Sequence, residues 1–304
     1  MIMNYNPQLV SFVSTDNLKL PGLLYEAENQ SKSVLLYLHG NGSSSVFYNA
    51  KYMNIMAETL NRRNISFFPF NNRGAHYIKT LKRETNGVVE RLMYGTAYEL
   101  IKDCIYDIDG ALSYLLTRGY TTFYLAGMST GANKICVYNK YKPDNPIRKY
   151  ILLSGGDDTG LYYDALGKDL FYKALSESHN ATANGRGMEM VSREMVDYPF
   201  SNQSLYDTIN PDGDYNIFPF NETMHNLGLS KKKLFSEFAA ITKPMLVVYG
   251  EVDEYCYGNV PACVEILKKH TAGKQNSTYA IIPQADHGFT GKEQEQADLI
   301  AAWL

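Results

Sequence analysis

The sequence predicts an α/β protein, a mostly parallel sheet with helices on both faces, interrupted once by a long insertion. Three observations predict it. Short, almost wholly apolar runs such as Val34-Leu35-Leu36-Tyr37-Leu38 recur, which is the signature of strands buried on both faces. Segments with helical spacing alternate with these runs, as crossover helices between parallel strands must. The alternation lapses over residues 157–242, where Asn, Asp, Tyr, Met and Gly are frequent and periodicity is weak, and then resumes.

The elements follow in order. Residues 9–13 and 18–25 alternate in polarity on either side of Ser14-Thr15-Asp16-Asn17 and predict an antiparallel hairpin. The strand 34–38 leads into His39-Gly40-Asn41-Gly42-Ser43. Phe47, Met53, Met56, Ala57 and Leu60 then predict a helix over 47–61. A strand over 65–70 is closed by Asn71-Asn72-Arg73-Gly74. Ile101, Ile105, Ile108, Leu112 and Leu115 lie on one side of a helix over 97–116. A strand over 123–126 runs into Gly127-Met128-Ser129-Thr130-Gly131, and a helix over 132–142 follows. The pattern continues with strands 149–153 and 244–249, a helix 261–270, a strand 278–282 and a helix 293–304.

The interruption contains helix-like pieces, 161–176 and 188–196, and a turn at Asn210-Pro211-Asp212-Gly213. A structureless loop of that length is out of place in a compact domain. It is therefore expected to be an inserted cap or lid, residues 157–240, on a core formed by residues 1–156 and 241–304. No internal repeat or low-complexity linker divides the chain further.

Composition narrows the class. The chain has 304 residues, of which 45% are hydrophobic, enough for one large α/β domain with an insertion or for two small domains. Its formal net charge is −3, and the Lys231-Lys232-Lys233 triplet reads as a solvated face, so a nucleic-acid partner is not expected. Residues 1–10 lack the charged start and apolar centre of a secretory leader. No apolar run approaches the roughly 20 residues that span a bilayer. Cys104, Cys136, Cys256 and Cys263 show no CxxC pairing, with Cys104 and Cys136 in helix-like segments and Cys256 and Cys263 flanking a loop. They fit the reduced thiols of a cytoplasmic protein. The 25 tyrosines are unusual, and lining a cleft is one use for them.

The chemistry concentrates at strand ends. A strand, a G-x-S-x-G pentapeptide and a helix describe a nucleophile elbow, a turn so sharp that its serine takes a strained backbone conformation. A serine hydroxyl is a poor nucleophile near neutral pH and needs a base, which needs a third group to orient it. The strand 244–249 is followed by Gly250-Glu251-Val252-Asp253-Glu254-Tyr255, and the strand 278–282 by Pro283-Gln284-Ala285-Asp286-His287-Gly288-Phe289. The chain order is thus Ser129, an acid, then His287, with a spacing of 34 from Asp253 to His287 that accommodates one helix and one strand. Asp253 has rivals in Glu251 and Glu254 and, at the end of the strand 149–153, in Asp157 and Asp158.

With these motifs the sequence resembles the α/β-hydrolase superfamily over nearly its whole length, most of all its capped serine esterases and acyl or peptide-bond hydrolases. Leu38-His39-Gly40-Asn41-Gly42-Ser43, Asn71-Asn72-Arg73-Gly74, the elbow and the paired acid and histidine loops carry the resemblance. The Gly250-to-Tyr255 run is similar to that of siderophore-esterase-like members. The resemblance implies the α/β-hydrolase fold, with Ser129 as nucleophile, His287 as general base and then acid, and Asp253 as the orienting acid. It implies an oxyanion hole made by the backbone N–H groups of Asn41 and Thr130. The expected activity is hydrolysis of a small-molecule carboxylic ester through an acyl-enzyme, with no cofactor.

Two other readings stay open. A peptidase or amidase would use the same triad and bind its leaving amine through acids such as Glu189, Glu194 or Asp197. A non-catalytic small-molecule sensor could be built on the same scaffold. His39 is expected to pack the loop beside the nucleophile, and Arg73 to anchor its own loop by bonding backbone carbonyls. His76, His179, His225 and His270 have no partner pattern. His225 and Asp214 lie in the cap without metal-site spacing, and no nucleotide-binding loop occurs. Of the cap aromatics Tyr162, Tyr163, Phe171, Tyr172, Tyr198, Phe200, Tyr206, Tyr215, Phe218 and Phe220, more than half are expected to form the cap's own core, and the others an apolar cleft.

Overall fold

A computed structural model describes residues 7–304. The expectation of no leader in residues 1–10 falls mostly on residues 1–6, which lie outside the described residues. Strands β1 (Gln8–Val13) and β2 (Lys19–Leu24) form the antiparallel hairpin. Then come β3 (Ser33–Leu38), α1 (Ala50–Asn61), β4 (Ser66–Phe70), β5 (Lys79–Thr85), β6 (Val88–Tyr94), a 3₁₀ turn (Ile101–Asp103) and α2 (Cys104–Thr117). They are followed by β7 (Thr122–Met128), α3 (Thr130–Tyr141) and β8 (Ile147–Leu153). Five helices precede the next strand: α4 (Asp158–Leu166), α5 (Lys168–Ala183), α6 (Asn202–Ile209), α7 (Phe220–His225) and α8 (Ser236–Ala239). The chain closes with β9 (Met245–Gly250), α9 (Val260–His270), β10 (Ser277–Ile282) and α10 (Glu293–Trp303).

Eight strands make one sheet in the order β1-β2-β4-β3-β7-β8-β9-β10. The pairings of β2 with β1 and β4 are antiparallel and the rest are parallel. The apolar runs are apolar because both faces are covered. Val34, Leu36 and Leu38 of β3 face a cluster holding Ile108, Leu112 and Leu115 of α2, Ile135 and Val137 of α3, and Leu267 of α9. Their neighbours Leu35 and Tyr37 face the other cluster, with Met53, Met56 and Leu60 of α1 and Ile300 of α10. The period-2 alternation of a strand therefore sorts one short run into two cores. Each fully buried side chain of this kind contributes about 1.5–3 kcal/mol.

Several expected boundaries move. The helix expected over 47–61 begins only at Ala50, because Phe47 and Asn49 take φ of 59° and 51°. The Asn71 side chain accepts from the amides of Ser45 and Val46, which ties the preceding loop to the end of β4 and leaves Phe47 outside, 77% exposed. The helix expected over 97–116 becomes regular only at Cys104. The amide of Ile101 is bonded at 2.7 Å by Asp207 of α6 instead of continuing a helix. The single helix expected over 161–176 is two, broken at Gly167 with φ 72°. No helix forms over 188–196. Met190 bridges Ser201, Val191 N–H donates to Phe200, and the apolar residues of this segment, with Met188 and Met190 exposed, do not share a face.

One hairpin, β5–β6, is absent from the sequence expectations and stands apart from the main sheet. Its Asn86-Gly87 turn has φ of 52° and 79°, as a tight two-residue hairpin turn requires. Between β8 and β9 the apolar residues divide between two clusters. Phe171, Ala174, Val196, Phe200, Leu205 and Ile209 make a separate small core. Tyr215, Ile217, Phe218, Phe220, Phe235 and Phe238 join the larger core beneath α3. Among the described residues no helix is long and apolar enough to cross a membrane.

Candidate active site

Ser129 sits between β7 and α3 with φ 55° and ψ −125°, a conformation a residue with a side chain keeps only when its surroundings impose it. The surroundings here are backbone. A Cβ on Gly127 would stand 2.2 Å from the Gly131 carbonyl oxygen, and one on Gly131 would stand 2.4 Å from that of Leu38. Ser129 N–H donates to Leu153 at the end of β8, and Ser129 C=O accepts from Ala132. The serine is thereby fixed to two strands and one helix at once. It occupies the N-terminus of α3, where free amides and the helix dipole favour negative charge. Thr130, buried, is the first helical residue, so its N–H has no partner within the helix.

The loop after β3 packs on the same serine, since a Cβ on Gly40 would lie 2.8 Å from Ser129 Cβ. Asn41 follows, its side chain donating to Tyr215 Oη at 2.5 Å and to Asp158 Oδ1 at 3.4 Å. His39 is buried, with Nδ1 2.9 Å from the Gly40 oxygen. Burial foremost, aided by the Lys134 charge, holds its imidazole well below the usual range, so it packs the loop as a neutral ring. Arg73 anchors its loop as expected, but through carboxylates and not carbonyls. It is buried between Asp107 and Asp16, both at 2.8 Å, with Asp103 at 3.4 Å.

The acid and histidine loops interlock. His287 Nδ1 lies 2.9 and 3.0 Å from the two oxygens of Asp253, which is only 2% exposed. Its rivals bind the backbone of the same loop, Glu254 accepting from His287 N–H at 3.0 Å and Glu251 from Gln284 N–H at 2.8 Å. Three carboxylates of one loop thus fix the other, and Asp253 alone takes the ring. Tyr255 packs edge-on against that ring, centroids 4.6 Å apart. Asp157, the rival at the end of β8, is occupied elsewhere. It accepts from Gly160 N–H, Asn221 N–H and Tyr257 Oη. Burial nevertheless pushes its carboxyl up to about 7.

Ser129, His287 and Asn41 line one cavity of about 710 Å³. Six tyrosines line it too, Tyr37, Tyr52, Tyr77, Tyr162, Tyr198 and Tyr255, which gives part of the tyrosine content a place. Of the ten insertion aromatics only Tyr162 and Tyr198 line it, while Phe171, Phe200, Tyr215, Phe218 and Phe220 are buried in the two cores. Among the described residues Ser129 Oγ and the His287 ring make no direct hydrogen bond, a contact that in unliganded sites often tightens only around substrate. The acids suggested for a leaving amine, Glu189, Glu194 and Asp197, are exposed and outside the cavity. His225 bonds Asn221, and Asp214 pairs with Lys140 and Tyr141. His179 packs on Tyr206 and His270 on Phe235.

Asp158 is a cavity residue whose place the sequence does not give. Asp158 was a rival for the triad acid, whereas it lines the same cavity as Ser129. The available signal was its position after β8, next in the sheet to the strand that ends in Ser129.

Comparison with known proteins agrees with this architecture. Residues 93–303 match the family described as "Protein of unknown function (DUF1749)", and the chain belongs to that family. No curated protein matches the sequence. Among solved structures, Est1E from Butyrivibrio proteoclasticus with ferulic acid bound superposes with a TM-score of 0.64 at 15% identity, covering 96% of each chain. The siderophore hydrolase EstB from Aspergillus fumigatus gives 0.64 at 14%, covering 99% of this chain and 97% of that one. A soluble variant of monoglyceride lipase from Saccharomyces cerevisiae gives 0.57 at 16%, covering 100% and 96%. The chain has the α/β-hydrolase fold.

Proposed function

We propose that this chain is a serine hydrolase that cleaves a small-molecule carboxylic ester through an acyl-enzyme on Ser129. The observation that carries the reading is the His287 ring held by buried Asp253 at 2.9 Å, in a cavity shared with a serine in a strained elbow conformation. Asp253 accepts from Nδ1–H, which leaves Nε2 as the base for the Ser129 hydroxyl. Attack on the carbonyl carbon places negative charge on the carbonyl oxygen. The amides of Thr130 and Asn41 are the proposed donors to it, and the N-terminal end of α3 favours the same charge. Each such donor typically contributes roughly 3 kcal/mol to the transition state. The imidazolium then protonates the leaving alcohol, and water repeats the sequence to release the acid. The same residues could cleave an amide. The exposure of Glu189, Glu194 and Asp197 removes the acids suggested for that reading and favours the ester.

The helices between β8 and β9 are proposed to serve as the cap, residues 157–240. Their part α4–α6 has a core of its own and supplies Leu161, Tyr162 and Ala165 to the cavity.

The test is labelling with a fluorophosphonate, with Ser129→Ala and His287→Ala beside the native chain, followed by p-nitrophenyl esters of rising acyl length. The native chain is expected to label and to turn over esters. Each variant is expected to lose about 10⁴–10⁶ in kcat. A native chain that neither labels nor cleaves any ester would overturn the reading and favour a sensor on this scaffold.

A further inference from the structure

Asp158 presents an unpartnered oxygen to the nucleophile. Its Oδ1 approaches the Asn41 side chain at 3.4 Å, while its Oδ2 is buried without a hydrogen-bond partner among the described residues. A polar atom in that state is costly unless something else comes to meet it. The gap it faces is kept open by Gly156. A Cβ placed there would stand 3.2 Å from Asp158 Oδ2 and 3.9 Å from Ser129 Oγ. Asn133 of α3 fixes that glycine from both sides, donating to its carbonyl at 2.8 Å and accepting from its amide at 3.1 Å. The opening between the two oxygens is thus a fixed part of the site.

Charge decides what fits. Among the described residues no lysine or arginine lines the cavity. His287, Asn41 and, more weakly, the Lys134 charge oppose the effect of burial on Asp158, and Asp158 in turn acts on Tyr215 and Tyr162; Lys134 itself is buried against Glu99 at 2.6 Å. Burial raises the Asp158 carboxyl to about 6, the His287 charge foremost among the effects opposing that rise, so at neutral pH it is mainly ionised. A lone carboxylate beside Ser129 opposes the negative charge that builds on an attacked carbonyl. A cation on the substrate cancels that opposition and satisfies Oδ2. Distance fixes where the cation must be. In an ester attacked by Ser129 Oγ, an atom two bonds beyond the carbonyl carbon lies roughly 3–4 Å from Oγ, as ordinary bond lengths require. Asp158 Oδ2 and Ser129 Oγ both lie within 4 Å of the position a Gly156 Cβ would take, so the two oxygens border one space of that scale.

We infer that Asp158 is a specificity-determining residue that binds a substrate ammonium group two or three bonds from the scissile carbonyl carbon, so that the preferred substrate is an α- or β-aminoacyl ester. The inference rests on the serine-hydrolase reading and names the acyl group for it. Bond making and breaking are unchanged. The ammonium keeps its protons and donates a hydrogen bond to Oδ2.

The experiment compares kcat/KM at pH 7 for the benzyl esters of alanine, β-alanine, N-acetylalanine and propanoic acid, with fluorophosphonate labelling of the same samples. A charge-assisted hydrogen bond in a buried setting corresponds to about a ten- to hundredfold preference. The native chain is expected to prefer alanine or β-alanine ester over both uncharged esters by that factor. Asp158→Asn is expected to lose the preference and still to label and to cleave the propanoate. Gly156→Ala, which puts a methyl group into the gap, is expected to lose it as well. As a check independent of turnover, calorimetry on Ser129→Ala should show alanine benzyl ester binding that Asp158→Asn added to it weakens at least about tenfold.

A native chain that labels and cleaves all four esters alike would overturn the inference and leave the hydrolase reading standing. So would an Asp158→Asn variant that slows every ester equally, which would make the carboxylate a support of His287. A chain that neither labels nor cleaves any of them would overturn both.

Discussion

Ser129 and Asp158 face one gap but are held there by different means. Around the elbow the constraints are backbone to backbone, with glycines at 127 and 131 that admit no side chain and strand ends that bond Ser129 directly. In the insertion the cavity wall is made by side chains of α4 and by Tyr198 of the irregular segment before α6, beside a small core of six buried residues. The first region depends on a few positions and leaves little freedom in them. The second depends on how side chains pack and leaves sequence free to vary. On the proposed roles, bond breaking belongs to the sheet and substrate choice to the insertion.

The strongest way to break this comparison is a pair of variants of similar cost, one in each region. Arg73→Leu strands the buried carboxylate of Asp107 and frees that of Asp16, for a loss of about 3–5 kcal/mol. Phe171→Ala empties the centre of the small core, also for about 3–5 kcal/mol. Hydrogen exchange should rise throughout the sheet in the first variant, and in the second mainly over α4–α6, with the amides of β3, β7 and β8 still protected. Uniform exchange in both would mean that the two regions form one cooperative unit.

A smaller effect sharpens the view that the base is held by backbone contact. Glu254→Ala removes the acceptor of His287 N–H but leaves Asp253 in place. One hydrogen bond of this kind is worth about 1 kcal/mol, so kcat should fall by about fivefold with KM little changed. A fall as large as that of His287→Ala would show that the ring depends on more than Asp253.

The smallest expected effect lies where the regions join. Asp207 of α6 accepts from Ile101 N–H, and burial pushes its carboxyl up to about 7. An unfolded chain releases that proton near the ordinary value of about 4. Between those values the folded chain holds a proton that the unfolded chain has lost, so the stability due to this group falls as pH rises through the window. Asp207→Asn keeps an acceptor and removes the titration. Its Tm should decline less than that of the native chain between pH 4 and pH 7.5, and identical slopes would count against the raised carboxyl.

What the sequence made legible follows the same division. The strands of the sheet were readable because burial on both faces demands apolar runs, and the elbow because its geometry demands glycine at two fixed offsets from Ser129. Asp253 was readable by position, although only the fold separated it from Glu251 and Glu254, which bond the same loop. The hairpin β5–β6 was missed because most of its residues are exposed, so no apolar face marks it, and Asn86-Gly87 was its one local sign. The segment 188–196 reads as a helix-like piece within a stretch of weak periodicity, yet a bridge from Met190 to Ser201 governs it. The place of Asp158 depends on neighbouring strand ends meeting in the sheet, which no local pattern records.

His287 follows β10, the last strand along the chain and an edge strand of the sheet, whereas Ser129 follows β7 in its interior. During synthesis the serine, its elbow and both proposed oxyanion amides can be in place while the base has yet to leave the ribosome. β10 pairs only with β9 and adds at the edge, so no earlier strand has to part to admit it. On the proposed roles, the nascent chain carries an inert hydroxyl until β10 docks and brings His287 to Ser129.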